Sequence, residues 1–164
     1  MPKFNQQALV NMIIKIDDLQ SGEIISLLDE HLKSMLTLSP AESVHALDVN
    51  AMKQPSNTFF GAWINEQLAG CGALKDLSNG HGEIKSMKTS HAFLRQGVAA
   101  NILEHIIAHA EHQGFNKLSL ETGTAPAFLP AQKLYQAYGF KPCAPFANYL
   151  EDEHSLFMTL TIKA

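Results

Sequence analysis

The sequence predicts a mixed α/β fold, with a mostly antiparallel central sheet of about seven strands and about four flanking helices. Three observations carry this prediction. Strand-like and helix-like segments follow each other in the order strand, two helices, three strands, helix, strand, helix, two strands. The strand–helix–strand passage over 83–122 predicts a right-handed parallel crossover. A length of 164 residues, 46% of them hydrophobic, predicts a single domain over 1–164 with a substantial core.

The chain opens with a β-branched apolar run at 10–16, which predicts the first strand. A helix is expected next, over 21–36, with Ser21 as its cap. Its apolar side chains recur at helical spacing and form one face: Ile24, Leu27, Leu28, Leu32 and Met35.

A hairpin follows the proline-bounded segment 38–55, which holds either a second short helix or an irregular stretch. Residues 58–64 and 67–75 predict two strands, and a tight turn at Asn65 and Glu66 joins them.

The second half of the chain alternates strands and helices. Strands are expected at 81–90 and at 117–122, the latter with Leu118 and Leu120 inward. The segment 130–140 predicts a helix that opens at Pro130 and closes at Gly139. The last elements are a strand or extended segment at 141–150 and a strand at 154–162.

The longest helix, expected from about 96 to 113, is amphipathic. Its apolar face consists of Val98, Ile102, Leu103, Ile106, Ile107 and Ala110. His105, His109 and His112 follow each other on the other side at metal-ligand spacing. We interpret them as a solvated polar face, because no Cys or acid completes a ligand set, and we expect no metal.

Composition narrows the classes of function. The net charge of −4 argues against a nucleic-acid binder, which normally carries a basic stripe. No apolar run approaches the roughly 20 residues that cross a bilayer, and the N-terminus shows no signal-peptide pattern. Cys71 and Cys143 form no CxxC pair, so we expect a reduced, cytoplasmic protein.

The stretch HAFLRQGVAANILEHII (91–107) places small residues, from Gly97 to Ala100, where the long helix begins. The first N–H groups of a helix have no partner within the helix, and they favour an anion such as a phosphate. A glycine also serves simply as a turn before a helix, so this stretch alone leaves both interpretations open.

Two longer segments, EIKSMKTSHAFLRQGVAANIL (83–103) and LSLETGTAPAFLPAQKLYQAYGF (118–140), resemble the GNAT superfamily of N-acetyltransferases. The resemblance extends over about residues 10–162. The family's coenzyme loop has Arg or Gln, two residues, Gly, one residue, then Gly or Ala, and Gly97 and Ala99 match its last two positions. Leu94 stands at the family's Arg or Gln, with Arg95 next. LYQAYGF is similar to the family's Leu-Tyr-x-x-x-Gly-Phe.

The resemblance implies acetyl transfer from acetyl-coenzyme A, a co-substrate, to an amine. It implies that backbone N–H groups of the loop, with the charge of Arg95, hold the pyrophosphate. It also implies that the fourth strand offers its backbone to the pantetheine arm and stabilises the oxyanion near Met87. The cofactor-binding residues are then Met87, Lys88, Thr89, Arg95, Gln96, Gly97, Val98 and Ala99.

The catalytic residues that the resemblance implies are Tyr135 and Glu83. Tyr135 is the candidate general acid for the coenzyme thiolate. Tyr138 is a rival, but its place beside the end of the helix favours a structural role. Glu83 is the candidate general base for the amine, and Glu121, His81 and His91 are the alternatives.

The resemblance also implies that the acceptor binds between the segments 39–48 and 145–155, where His45 and Tyr149 are candidates to face it. The acids Glu151, Asp152 and Glu153 either attract a cationic amine or form a solvated turn. The expected partner is a small-molecule or peptide amine, with no nucleic acid and no membrane. A homodimer is compatible with this interpretation.

Two other functions stay open at this point. The first is a non-catalytic acyl-coenzyme A-binding module of the same fold. The second is a different nucleotide-binding α/β enzyme, although GxGxxG and Walker A patterns are absent.

Overall fold

The computed structural model describes residues 11–41 and 48–162. Its strands are β1 Met12–Asp17, β2 Asn57–Ile64, β3 Gln67–Asp76, β4 His81–Thr89, β5 Lys117–Gly123, β6 Lys141–Cys143 and β7 Ser155–Thr161. Its helices are α1 Glu23–Leu38, α2 Val49–Met52, α3 Val98–His112 and α4 Leu129–Ala137. None of the helices in this part of the chain is long and apolar enough to cross a membrane.

The seven strands form a sheet in the order β1-β2-β3-β4-β5-β7-β6. Only β4 and β5 run parallel, and the other neighbouring strands are antiparallel. The predicted fold class is therefore confirmed. So is the parallel passage over 83–122, in which α3 connects β4 to β5.

The hairpin between β2 and β3 turns where the sequence indicates. Asn65 and Glu66 have φ angles of 50° and 65°, the left-handed pair that a two-residue hairpin turn requires.

Helix starts differ slightly from the prediction. Gly22, with φ 81°, occupies the cap position of α1 instead of Ser21, whose hydroxyl accepts a 3.4 Å hydrogen bond from the Glu23 N–H. Gly97, with φ 80°, delays α3 until Val98. A residue in the left-handed region cannot continue a right-handed helix, so each glycine sets the boundary.

Later boundaries follow the prolines and glycines. Pro130 lies in the first turn of α4, and Gly139, with φ 95°, follows its end, as expected. The strand in 141–150 is short, only Lys141–Cys143, and the rest of that segment is a loop. In 38–55 the structure has the short helix α2, while residues 42–47, with His45, lie outside the described residues.

The sheet packs apolar side chains on both faces. Neighbouring residues of one strand point to opposite sides. Accordingly, Phe60 and Leu74 join the cluster under α3, whereas Phe59 and Ala73 join the cluster under α1 and α2. The α3 cluster contains the predicted inward residues Leu118 and Leu120, and two of its members, Ile84 and Tyr135, also line the cavity described below.

A β-bulge bends β4 in its middle. Ala73 pairs with Lys85 and Cys71 with Lys88, so Ser86 and Met87 together oppose Gly72. Ser86 has a φ of 57° at this point. A Cβ on Gly72 would lie 2.5 Å from Met87 Sδ and 2.9 Å from Ile102 Cγ2, so a larger residue there would require the Met87 and Ile102 side chains to shift.

Candidate active site

The site begins where β4 and β5 separate. Their parallel pairing runs from His81–Lys117 to Ile84–Leu120 and stops there. Beyond the bulge, β4 keeps pairing with β3 through Lys88 and Thr89, while β5 keeps pairing with β7. The edge of β4 that faces β5 is therefore open over its last residues. An open strand edge can accept an extended, peptide-like ligand through main-chain hydrogen bonds.

A cavity of about 470 Å³ opens at this separation. One wall is apolar and comes from α1 and α2, with Ile25, Leu28, Leu32, Met35, Val49 and Met52. The opposite side is formed by the separated strands, α4 and the loop before β7, and it holds Lys85, Ser86, Met87, Glu121, Thr122, Phe128, Tyr135 and Tyr149. The predicted apolar face of α1 is thus only partly core, because Ile24 and Leu27 are buried whereas Leu28, Leu32 and Met35 face the cavity.

The loop after β4 offers backbone donors at the other end of the open strand. Arg95 and Gly97 adopt left-handed conformations, with φ angles of 64° and 80°. Gly97 caps α3 without a side-chain hydrogen bond, and the first turn of α3 carries no acid. The loop and the positive end of the helix dipole therefore suit an anion. Leu94 and Arg95 are both exposed.

Tyr135 lies in the cavity wall, on α4. Its side chain is 7% exposed, and its ring packs edge-on against Phe140 at 5.8 Å between centroids. Burial raises the pKa of Tyr135 to about 12, so the phenol stays protonated at neutral pH.

Glu83 is 3% exposed and does not line the cavity. The Tyr149 hydroxyl donates a 2.5 Å hydrogen bond to Glu83 Oε2, and Lys85 Nζ lies 3.8 Å from the same oxygen. Burial first, and then the Glu83 carboxylate, raises the pKa of Tyr149. Because Tyr149 does line the cavity, Glu83 reaches the cavity through this hydroxyl.

The structure places the sequence-predicted residues in three groups. Met87 and Tyr135 line the cavity together, and Glu83 lies behind Tyr149. Lys88 and Thr89 continue the open strand outside the cavity lining, and residues 95–99 lie beyond its end.

The alternatives to Glu83 lie in three different places. Glu121 lines the cavity. His81 is bonded to Ser119 Oγ at 2.7 Å, and burial lowers its pKa. His91 is exposed in the turn after β4.

The sequence predicted that the histidines of α3 form a solvated polar face, but two of them also pack against the core. The rings of His105 and His109 pack edge-on against the buried Phe60, at 5.4 and 5.2 Å, and His109 is half-buried. A group of three or more side chains able to hold a metal ion is absent from the described part of the chain.

His31 and Lys85 are cavity residues that sequence reasoning missed. His31 follows Leu27 and Leu28 at helical spacing, so the periodicity of α1 could have placed it on the inner face. Burial, and then the charge of Lys88, lowers its pKa to about 4. No sequence pattern indicates that Lys85 lines a cavity, because this follows only from how β4 packs in the folded protein. The expectation that Tyr149 faces the acceptor region agrees with its place in the cavity wall.

Comparison with known proteins identifies the family. A family model described as the acetyltransferase (GNAT) family matches residues 24–140. YsnE, an uncharacterized N-acetyltransferase of Bacillus subtilis (strain 168), is 55% identical over 148 residues, covering 90% of this chain and 98% of that protein. YedL, an uncharacterized N-acetyltransferase of Escherichia coli (strain K12), is 48% identical over 91% of this chain and 94% of its own. An IAA acetyltransferase of Azospirillum brasilense is 33% identical over 90% of this chain and 96% of that protein.

Solved structures share the fold. A putative acyl-CoA N-acyltransferase from Klebsiella pneumoniae superposes with a TM-score of 0.76 at 23% identity, covering 92% of this chain and 97% of that chain. An acetyltransferase of Bacillus subtilis in complex with CoA gives a TM-score of 0.69 at 18% identity, covering 93% and 99%.

Proposed function

This chain belongs to the GNAT family of acetyltransferases and is an N-acetyltransferase, and we propose that it moves the acetyl group of acetyl-coenzyme A to a primary amine of a small molecule or peptide. The observation that carries the proposal is the separation of β4 from β5. It opens one strand edge between a loop suited to an anion and a cavity that contains Tyr135.

The coenzyme lies along β4 in this proposal. The backbone N–H groups of residues 96–99, with Arg95, hold the pyrophosphate. The pantetheine arm runs along the open edge at Met87, Lys88 and Thr89, which spans roughly 10 Å of extended strand. The thioester then reaches the cavity near the bulge, where Met87 lines the wall. An acetyltransferase of Bacillus subtilis with the same fold was solved in complex with CoA, which supports binding of the coenzyme by a protein of this fold.

Acetyl transfer follows from this arrangement. The amine attacks the thioester carbonyl, and a backbone N–H near Met87 stabilises the oxyanion. As the tetrahedral intermediate collapses, Tyr135 donates a hydrogen bond and then a proton to the leaving sulfur. The raised pKa makes the phenol a weak acid, so transfer is completed as charge builds on sulfur. Glu83 takes the proton of the amine.

The cavity favours a cationic acceptor with an apolar body. Asp29, Asp48 and Glu121 line it, against the single lysine Lys85 among the described lining residues. Carboxylates around a cavity concentrate cations there. The α1 wall offers apolar contact to the rest of the acceptor.

The remaining expectations accompany this proposal. We propose one catalytic domain over 1–164 and a cytoplasmic protein. Cys71 and Cys143 are both free thiols, which fits a reducing compartment.

The test is coenzyme thiol release with a panel of acceptors: 2-phenylethylamine, tryptamine, putrescine, spermidine and a tripeptide with a free N-terminus. IAA is included because it appears in the name of the Azospirillum brasilense relative. Thiol release that depends on an amine, with the N-acetylated product identified by mass spectrometry, is the expected result.

Tyr135→Phe should lower kcat by about a hundredfold, because the general acid is lost. Its affinity for acetyl-coenzyme A in calorimetry should match that of the wild type. Tyr138→Phe is the matched control, since Tyr138 donates to Glu104 at 2.6 Å and does not line the cavity. Full activity in Tyr135→Phe would reassign the acid, and coenzyme binding without turnover on any amine would favour the non-catalytic module.

A further inference from the structure

We propose that Tyr149 is a further catalytic residue, which carries the proton of the acceptor amine from the cavity to Glu83. The inference rests on the proposed function, because it concerns the same amine. It replaces direct contact between the amine and Glu83 with a two-residue relay.

The position of Glu83 requires an intermediary. Ile84 and Lys85 both line the cavity, which opens where β4 separates from β5, and strand alternation places Glu83 on the same face of β4 as Lys85. Glu83 is nevertheless 3% exposed and absent from the cavity lining, whereas Lys85 is part of it. An amine in the cavity therefore does not reach the Glu83 carboxylate directly.

Tyr149 occupies the position between them. Its ring is fixed by edge-on contact with Phe146 at 5.1 Å and by a tilted contact with Phe157 at 5.6 Å. Its hydroxyl donates to Glu83 Oε2 at 2.5 Å, and its side chain forms part of the cavity wall. A donor held in this way is ordered before any substrate arrives, which is what proton transfer requires.

The proton step balances without any other reactant. The ammonium of the acceptor gives a proton to Tyr149 Oη while the Tyr149 hydroxyl proton moves to Glu83 Oε2. The amine becomes neutral, the carboxylate becomes a carboxylic acid, and the tyrosine is again a phenol. The amine lone pair then forms the bond to the acetyl carbon, and the bond to sulfur breaks as Tyr135 gives its proton to the sulfur. The second proton of the attacking nitrogen restores the Tyr135 phenol, and Glu83 later returns the first proton to solvent.

Tyr149 does not act as a base on its own. Burial and the nearby carboxylates raise its pKa, so a standing phenolate is disfavoured. A phenol that receives one proton as it gives up another needs no such phenolate. The ammonium of Lys85, 3.8 Å from the same Glu83 oxygen, supplies a countercharge to the carboxylate.

The experiment compares two acceptors that differ in basicity. The panel amine with the highest turnover is paired with its β,β-difluoro analogue, for example 2-phenylethylamine with 2,2-difluoro-2-phenylethylamine. Fluorine lowers the basicity of the amine, so the analogue arrives neutral and needs no relay. In Tyr149→Phe, kcat/KM should fall about a hundredfold for the parent amine. The ratio of kcat/KM for the parent amine to kcat/KM for the analogue should be at least roughly tenfold lower in this variant than in the wild type. A merely structural defect would lower both values and leave their ratio unchanged.

Three further variants serve as controls for this measurement. Glu83→Gln, whose amide oxygen still accepts the Tyr149 hydrogen bond, should show the same loss and the same ratio. The double variant Tyr149→Phe, Glu83→Gln should have the same kcat/KM for the parent amine as either single variant, because both substitutions interrupt the same proton pathway. Tyr138→Phe, which removes the hydrogen bond between Tyr138 and Glu104, should behave as wild type.

An unchanged ratio in Tyr149→Phe would overturn the relay, as would a changed ratio in Glu121→Gln alone, which would make Glu121 the base. If thermal unfolding shows that Tyr149→Phe is not folded, Glu83→Gln becomes the test of the relay. A ratio of kcat/KM values in Glu83→Gln equal to that of the wild type would then overturn it. A wild-type enzyme inactive on every amine of the panel would instead refute the proposed function, and the relay with it.

Discussion

At the residue scale, burial decides what the ionisable side chains of the cavity do. It raises the pKa of Tyr135 and lowers that of His31, so both side chains are uncharged at neutral pH. It also lowers the pKa of Lys85, while the neighbouring Glu83 acts in the opposite direction. The cavity therefore presents neutral donors beside a small number of charges, an arrangement suited to moving protons.

His31 should make stability depend on pH. Its folded pKa of about 4 lies below the unfolded value near 6.5, so between these values the unfolded chain binds more protons. The contribution is fully present above pH 6.5 and is lost as the pH falls toward 4. The loss at pH 4.5 is expected to be about 2–3 kcal/mol. Urea unfolding of the wild type and His31→Gln at pH 7 and pH 4.5 measures it.

Other groups also titrate in this range, so the difference between the two proteins is the relevant quantity. His31→Gln should lose less stability than the wild type between the two pH values. Equal losses would show that His31 accepts a proton in the folded protein as readily as in the unfolded one.

At the element scale, α3 carries a left-handed glycine at each end. Gly97, with φ 80°, begins it beside the loop that we propose binds the coenzyme, and Gly114, with φ 86°, follows its C-terminus. A Cβ on Gly114 would meet no atom within 4 Å. The two positions share one backbone requirement, but only Gly97 lies where the pyrophosphate is proposed to bind.

The variants Gly97→Ala and Gly114→Ala form a matched pair. Each should lower the free energy of unfolding by about 1–2 kcal/mol, the cost of a left-handed non-glycine residue. Only Gly97→Ala should also weaken acetyl-coenzyme A binding, by at least roughly tenfold, or about 1.4 kcal/mol. Calorimetry and chemical unfolding separate the two effects. Equal affinities in both variants would remove the coenzyme from this loop.

At the scale of the whole molecule, one strand connects the two halves of the proposed reaction. β4 runs from the Glu83 region, through the bulge at the cavity, to the loop before α3. A coenzyme along this strand contacts both the loop and the cavity. Its binding energy should therefore stabilise the whole fold rather than one segment.

Acetyl-coenzyme A at a hundred times its Kd should stabilise the protein by about 2.7 kcal/mol. For a chain of this size the melting temperature should rise by about 5–10 °C. NAD and ATP at the same concentration serve as controls, because both carry phosphates but lack the pantetheine arm. A similar rise with either nucleotide would contradict the assignment of the open β4 edge to that arm.

The sequence by itself determined the features that depend on neighbours along the chain. The order of strands and helices, the turn at Asn65 and Glu66, and the glycine that begins α3 all follow from local backbone preferences and apolar periodicity. The family motifs belong to the same class, because LYQAYGF and the loop around Gly97 are continuous segments. The cap of α1 was placed one residue early, since Ser21 and Gly22 are both plausible there.

Only the tertiary structure decided what surrounds each side chain. Glu83 and Tyr149 are 66 positions apart, and their contact exists because the loop before β7 folds over the face of β4. The sequence indicated Glu83 as a base, but it could not show that a tyrosine separates it from the cavity. Burial and long-range contacts arise from packing between elements, and no local pattern records which elements will meet.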